Sequence, residues 1–277
     1  MNNDKYAGEF NIVLEKKNDK TLISEKNFNG LIKISPTIHL DSEKVSTYFI
    51  VGLGGGYVEG EKYKYSITQK EDSRAIITTQ SSTKVYKCEN KKTTKQETVI
   101  NLEKNSILEY ITDNVILYKN AIYKQVNNIY MDESATLIYS DGITSGWSKE
   151  GGEFQYSNIQ LKTNVYVNNK LVLLDNLLVN PQIYDVKRLG FFEGYKNFGT
   201  LIVINKDINA ETINDLRNEI NKLNLPIYFG ISEIEVNGFV LRVLGNLTQH
   251  IESAIKLSHN YIRKKYLNSG DLFIRKY

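Results

Sequence analysis

The chain of 277 residues carries one cysteine, three prolines and three histidines, and each scarcity removes a class of answer. With only Cys88 there is no internal disulfide and no multi-cysteine metal site. His39, His250 and His259 have no paired-ligand spacing, and H-E-x-x-H is absent, so the pattern of a catalytic metal is missing. At about 100° per residue the spacing of His250 and His259 puts them on opposite faces of one helix. All three read as structural or exposed. No stretch approaches the roughly 18 apolar residues of a membrane-spanning helix. The opening MNNDKYAGEF has no signal-peptide apolar core, and the expectation is a soluble cytoplasmic protein.

Charge is also unremarkable. Thirty-five basic and 32 acidic residues, dispersed along the chain, leave a net +3. A nucleic-acid binder concentrates its basic residues, so no nucleic-acid partner is expected. Short runs such as Lys91-Lys92 and Arg263-Lys264-Lys265 read as solvated faces. The 19 tyrosines suit a binding surface, although a composition rich in Lys, Asn, Ile and Tyr also follows from codon bias.

What is present is β texture. From residue 6 to about 204, β-branched and aromatic runs are broken by Gly, Asn and Asp. Strands are predicted at 8–15, 28–34, 45–53, 62–69, 74–79, 83–88, 97–103, 106–111, 122–130, 135–140, 153–168, 171–179 and 199–204. Asn168-Asn169 suits a two-residue hairpin turn because asparagine tolerates positive φ. No fixed-period repeat is visible. Two helices are predicted afterwards. The first, 209–223, has an Ile213, Leu216, Ile220, Leu223 stripe, with Asp207 or Asn209 as its cap and Pro226 past its end. The second, 247–267, has a Leu247, Ile251, Ile255, Ser258, Ile262 stripe and an Asn246/Gln249 pair resembling a capping box. Between them, Asn237-Gly238 marks a hairpin. The expectation is a mainly β chain over 1–277, a β body at 1–204 and a helix/hairpin/helix portion at 205–277.

One stretch stands out, Gly54 to Lys87. A glycine cluster leads through Gly60 to Glu61, and a later strand ends in Thr78, Thr79, Ser81, Ser82, Thr83 and Lys84. The glycines do not make a phosphate loop. Position 57 is tyrosine, no Gly-Lys-Ser/Thr follows, and the next segment alternates like a strand where a helix N-terminus is required. They read as a close backbone approach or a turn needing positive φ. The hydroxyl run is too polar for a plain core strand, which places Thr78, Thr79, Thr83 and Lys84 against water, a channel or a partner. Glu61, Asp141, Glu153 and Asp175 are the carboxylates that adjoin glycine turns or apolar strands. Asp175 interrupts KLVLLDNLLV, where an unpaired charge is costly. No G-x-S-x-G elbow exists, and no local spacing sets two carboxylates across a cleft as a glycosidase needs. The residues favour a non-catalytic β scaffold. A carbohydrate-active β enzyme and a generic β-rich binding module are the alternatives.

Several segments resemble the urease accessory protein family UreD, called UreH in some systems. GGGYVEGEKY resembles its glycine cluster and Gly-acidic pair, with Gly60-Glu61 where relatives often carry Gly-Asp. AIITTQSSTKVYK resembles its threonine-rich strand ending in Thr-Lys-Val-Tyr. NVILYKNAIYKQ, DGITSGWSKEGGEF, NKLVLLDNLLVNP, FEGYKNFGTLIVI, GFVLRVLGNLTQHIE and the LFIRKY ending follow in family order. The 109–120 segment lacks prolines that relatives commonly show. The resemblance implies many strands in stacked, β-helix-like sheets with two C-terminal helices. It implies no catalysis and no stably bound cofactor. It implies a scaffold that binds apo-urease and UreF, with the GTPase UreG recruited through UreF, and that delivers nickel to the urease active site through an internal passage. On this reading Glu61, Asp141, Glu153 and Asp175 are candidates for passing nickel. Thr78, Thr79, Thr83 and Lys84 are candidates for a channel or partner surface.

Overall fold

The computed structural model describes residues 5–274 and Lys276. Residues 1–4 of the opening stretch, and Arg275 and Tyr277 of the LFIRKY ending, lie outside the described residues. The chain begins with β1 (Gly8–Lys17), β2 (Lys20–Gly30), β3 (Ile32–Ile34), β4 (Ile38–His39) and β5 (Ser46–Gly52). It then runs three times through one sequence of directions: β6 (Lys62–Gln69), β7 (Arg74–Thr79), β8 (Lys84–Val85); β9 (Thr94–Leu102), β10 (Ile107–Ile111), β11 (Ile116–Leu117); β12 (Ile122–Met131) and β13 (Thr136–Ile143), with Trp147 bridging Tyr118 on the third side. β14 (Asn158–Val167), β15 (Lys170–Val179) and β16 (Asn197–Ile204) complete the body.

Strands that recur in each coil stack in parallel. β1, β6, β9, β12 and β14 form the parallel run of a seven-stranded sheet, with β2 and β15 antiparallel at its edges. β5, β7, β10 and β13 form the parallel run of a nine-stranded sheet. Strands make up 48% and helices 12%, and the coils form a β-solenoid of about 4 turns, in line with the fold the resemblance implied. Lys62 faces Lys95, Thr94 faces Tyr123 and Ile122 faces Asn158, so successive coils advance the sequence by about 33, about 29 and about 36 residues. The unequal steps explain why no period shows in the sequence.

The nine-stranded sheet continues beyond the coils. β16 pairs antiparallel with β13 and with β18 (Gly238–Gly245), and β17 (Ile227–Glu233) closes the edge. α1 (Ala210–Lys222) and α2 (Thr248–Tyr266) cover the outer face of this sheet, burying Leu216, Ile220, Ile251 and Ile262 against Leu201, Val203, Leu241 and Val243. That cover accounts for β13, which is buried at every position, as a strand sandwiched on both faces must be. β6, with one face open, alternates. Gly199 lets α2 come close, since a Cβ there would lie 2.5 Å from Ile251 Cγ2.

The local signals hold in most places. Asn209 caps α1 by accepting from the Thr212 N–H. Asn168 and Asn169 both have positive φ, 47° and 66°. α2 departs from expectation: its N-cap is Leu247 with no side-chain bond, so the Asn246/Gln249 box does not form. The predicted strand at 83–88 shrinks to Lys84–Val85, because the third side of each coil offers only a two-residue parallel pairing.

Candidate functional site

The interior of a solenoid stacks like on like, because parallel in-register strands put equivalent positions side by side. Here that rule lines the inside with polar groups. Gln96 lies beside Gln125, Thr98 beside Asn127, Asn127 beside Thr163, and Thr163 beside Asp175. On the opposite sheet Asp141 lies beside Thr200, and Thr200 beside Arg242. Buried polar groups are tolerated where they satisfy one another, and these form a chain. The Tyr57 hydroxyl donates to Gln96 Oε1 at 3.0 Å. The Tyr123 hydroxyl reaches Gln96 Oε1 at 3.2 Å and Gln125 Oε1 at 3.1 Å. Asn127 Nδ2 donates to the Tyr139 hydroxyl at 2.8 Å and to Thr163 Oγ1 at 3.0 Å. Tyr139 in turn donates to Asp141 Oδ2 at 2.6 Å, and Gln125 Nε2 lies 3.5 Å from the same oxygen. Thr200 Oγ1 is buried with no hydrogen-bond partner among the described residues. Some of the tyrosines that suited a surface in the sequence instead face inward: Tyr57, Tyr63, Tyr65, Tyr110, Tyr123 and Tyr139 are all buried.

Asp141 is the acidic end of this chain. It is 7% exposed, and burial pushes its carboxyl up to about 7. The Tyr139 hydrogen bond opposes that rise and the charge of Asp175 adds to it. Burial also raises the phenols of Tyr65, Tyr123 and Tyr139 well above their ordinary value, which keeps them neutral donors.

Two cavities meet near Asp141. One, of about 240 Å³, opens beside the glycine cluster, with Gly54–Gly56, Tyr57, Thr83 and Lys84 at its wall. The other, of about 520 Å³, lies beneath α2 and is walled by Asn114, Ser140, Glu252, Ile255 and Lys276. Both share Ser81, Ser82, Thr112, Asp113 and Asp141. The corners where β7 and β10 turn toward the third side are thus a common wall between the solenoid interior and the groove under the helix.

The carboxylates singled out in the sequence are not gathered. Asp141 alone of the four lines these two cavities. Glu61 accepts from the Val58 N–H at 2.7 Å and the Tyr63 hydroxyl at 2.6 Å, closing the turn that follows the glycines. Asp175 pairs with Arg242 at 2.6 Å, a link between the two sheets that answers the cost of a charge in β15. Glu153 sits on the surface between Lys196 at 2.7 Å and Lys187 at 3.8 Å, and the Lys196 hydrogen bond holds its carboxyl below the usual range.

The hydroxyl run divides in the same way. Thr79, Thr83 and Lys84 line the first cavity, and Thr79 Oγ1 donates to Asp113 Oδ2 at 3.0 Å. Thr78 is buried and donates to the Ile111 carbonyl at 2.6 Å; it lines neither cavity. The glycines resolve as close approach. A Cβ on Gly56 would lie 2.8 Å from the Lys84 carbonyl oxygen and one on Gly55 2.8 Å from the Tyr86 hydroxyl, whereas among Gly54, Gly55, Gly56 and Gly60 positive φ occurs only at Gly60.

Sequence reasoning missed two features. Arg263, read from its neighbours as part of a solvated basic run, is fully buried; it pairs with Asp41 at 2.5 Å and with Glu109. His259 Nε2 bonds the same Glu109 at 2.7 Å, and Arg74 bonds it at 2.8 Å. Burial alone would raise Glu109; the His259 hydrogen bond, with Arg74 and Arg263, holds it well below the usual range. The partners lie far apart in sequence, so no local spacing signals them. Asp113 and the inward glutamines were also overlooked. Their signal is the alternation of polar residues at positions that face the interior.

A family model described as UreD urease accessory protein matches residues 6–275. Among similar proteins, one named urease accessory protein UreD from Streptococcus thermophilus is 38% identical over 271 residues, 98% of this chain and 97% of the relative. A protein of that name from Ureaplasma urealyticum is 41% identical over 253 residues, 90% of this chain and 88% of the relative. Another from Lachnoclostridium phytofermentans is 35% identical over 272 residues, 98% and 99%. With a family model and relatives of that name matching nearly end to end, the chain belongs to the UreD urease accessory protein family.

Proposed function

We propose that this chain is a non-catalytic scaffold of urease maturation. It binds apo-urease through the structural subunits, binds UreF, and reaches the GTPase UreG through UreF. Nickel is cargo, passed along the polar interior toward the urease active site and not retained. The location is cytoplasmic, with those partners; no described helix is long and apolar enough to cross a membrane.

The observation that supports this reading most is Asp141. It stands on the wall shared by the two cavities and at the end of a continuous chain of phenol, amide and hydroxyl groups. Oxygen donors suit a hydrated divalent ion that has to move on, whereas imidazole and thiolate sites hold nickel more firmly. The carbohydrate-active alternative finds less support. Asp175 and Glu153 are ion-paired and Glu61 closes a turn, so the carboxylates it needs are committed elsewhere.

The experiment is co-expression with the urease structural subunits, UreF and UreG at limiting nickel, comparing the native chain with Asp141→Leu. Retained co-purification with lowered nickel in urease supports the reading. Failure of the native chain to co-purify with urease and UreF contradicts the scaffold role. Full nickel loading with the variant contradicts the passage.

A further inference from the structure

The two sheets of the body end unequally. β15 is the last strand of the seven-stranded sheet on its side, and no described strand lies beyond it. Asp175 on β15 reaches Arg242 on β18, so β18 stands opposite β15. The nine-stranded sheet then adds one more strand, β17. On one face of β17, Ile227, Phe229 and Ile231 pack with the cluster under the helices. Tyr228 and Ser232 face the other way, as do Leu244 and Val240 across the ladder, and this second face is bare. Tyr228 is 58% exposed, Ser232 is exposed, and a Cβ on Gly230 would meet nothing within 4 Å. The result is a step one strand wide, bounded by the edge of β15 and roofed by β17.

The edge of β15 is also chemically open. The Asn158 and Asn168 N–H groups donate to the Ala121 and Met131 carbonyls, so even-numbered residues of β14 turn their backbone groups toward β12 and odd-numbered ones toward β15. Opposite the odd-numbered residues stand Leu173, Asp175, Leu177 and Val179. Leu174, Asn176 and Leu178 therefore direct their N–H and C=O groups away from β14, into the step. Exposed edges are normally blunted by charge, proline or a covering group. β2, at the far edge of the same sheet, carries exposed Lys20, Glu25 and Lys26. The edge of β17 is capped where Arg217 donates to the Ile231 carbonyl at 2.8 Å. β15 has no such guard. From Leu171 to Val179 there is no lysine, arginine or proline, and its one charge is paired with Arg242. Leu174 and Leu178 are 53% and 46% exposed.

From this edge and its roof we infer that β15 takes one extended strand of a partner protein by β-augmentation, apolar at the positions that face Tyr228 and Gly230. Main-chain bonds to Leu174, Asn176 and Leu178 supply the affinity, and the open space over Gly230 receives an inward side chain of the incoming strand. With Asp175 paired to Arg242 and Lys170 to Glu235, the strip complements an uncharged strand. A second copy of this chain does not fit. The two-fold that pairs two β15 edges antiparallel keeps both nine-stranded sheets on one side, and it puts β17 of one copy where β18 of the other stands. That the incoming strand belongs to a urease-maturation partner rests on the scaffold reading above; the strand site itself does not.

The test uses the full chain with Asn176→Pro, which removes an N–H that β14 does not use and is tolerated on an edge strand. Leu178→Pro is a second blocking variant, should the first fail to fold. Asn176→Ala is the control, losing the side chain and keeping the N–H. The probe is a labelled peptide with the ten-residue sequence of β14, NIQLKTNVYV, which already pairs antiparallel with β15. Fluorescence anisotropy should show saturable binding to the native chain and to Asn176→Ala, and binding about ten-fold weaker or lost with either proline variant. In complex with the urease structural subunits and UreF, amide exchange at Leu174, Asn176 and Leu178 should slow, and the proline variants should lower the yield of complex. No peptide binding to the native chain, or equal binding by the proline variants, would overturn the strand site. So would native dimers in sedimentation that Asn176→Pro splits. Peptide binding lost with a full yield of complex would overturn the partner strand. If the native chain does not co-purify with urease and UreF, the scaffold reading falls and the peptide result still decides the strand site.

Discussion

Tyr139 donates to Asp141 from two positions earlier on the same strand, at 2.6 Å, and both side chains face the solenoid interior. The pair is the point where a hydrogen-bonded chain of neutral donors meets a carboxyl that burial has pushed up to about 7, from an ordinary 3.8. Near neutral pH Asp141 is therefore balanced between its charged and uncharged forms, which suits the passage proposed above.

The same shift makes a stability prediction. Folded Asp141 binds its proton more tightly than unfolded Asp141, so the protein loses stability as pH rises from about 4 through about 7, and below about 4 the effect vanishes. Asp141→Asn keeps an acceptor for Tyr139 and removes the titration. It should raise stability by about 1–3 kcal/mol at pH 7.5 and by nothing at pH 3.5. Thermal unfolding across that range checks it; a variant less stable than the native chain at pH 7.5 would contradict it.

The buried cluster under α2 should behave in the opposite way. Glu109 is held low by His259, Arg74 and Arg263 against its burial, so its contribution is present at neutral pH and is lost as acid protonates it. Glu109→Ala leaves Arg263 buried without one of its anions and should cost about 3–5 kcal/mol. Urea unfolding measures this, and hydrogen exchange should show α2 losing protection before the coils do.

The glycine cluster separates backbone from side-chain constraint. Gly56→Ala drives a Cβ toward the Lys84 carbonyl, which is part of the ladder, and should cost about 1–3 kcal/mol. Gly55→Ala meets only the end of the Tyr86 side chain, which can swing aside, and should cost clearly less. Equal losses in denaturant midpoint would contradict the close-approach reading of Gly56.

Glu153 provides a contrast on the surface. Its pairs with Lys196 and Lys187 are partly exposed, and Glu153→Gln should change stability by less than about 1 kcal/mol. It should leave nickel loading of urease unchanged, whereas Asp141→Leu should lower it. Measured side by side, the two variants ask whether the site is the cavity wall or the carboxylates at large.

Much of this molecule was legible from residue patterns. Alternation placed β6 and β7 at their observed bounds, and the apolar stripes placed α1 and α2 within a residue or two. These are local signals, set by side-chain period and turn chemistry. The coil architecture was not legible from period, because the steps between stacked strands differ, and it came only through the family resemblance. The site was half legible. Asp141 and the Thr79–Lys84 stretch stood out as charges and hydroxyls where apolar residues were expected. Their meeting with Asp113, Gln125 and the segment after α2 depends on which coil lies beside which. Arg263 was misjudged for the same reason: its partner, Glu109, is supplied by a strand more than 140 residues earlier.

On the function proposed above, nickel reaches urease through the interior where the two cavities share a wall. Ser82 belongs to both cavities and is only partly buried, so Ser82→Trp fills the junction with little cost to the fold. The decisive measurement is the nickel content of urease matured at limiting nickel with this variant, alongside the yield of its complex with urease and UreF. A passage at that junction gives a normal yield of complex and a severalfold drop in nickel per urease active site. A normal complex delivering a full complement of nickel would contradict it.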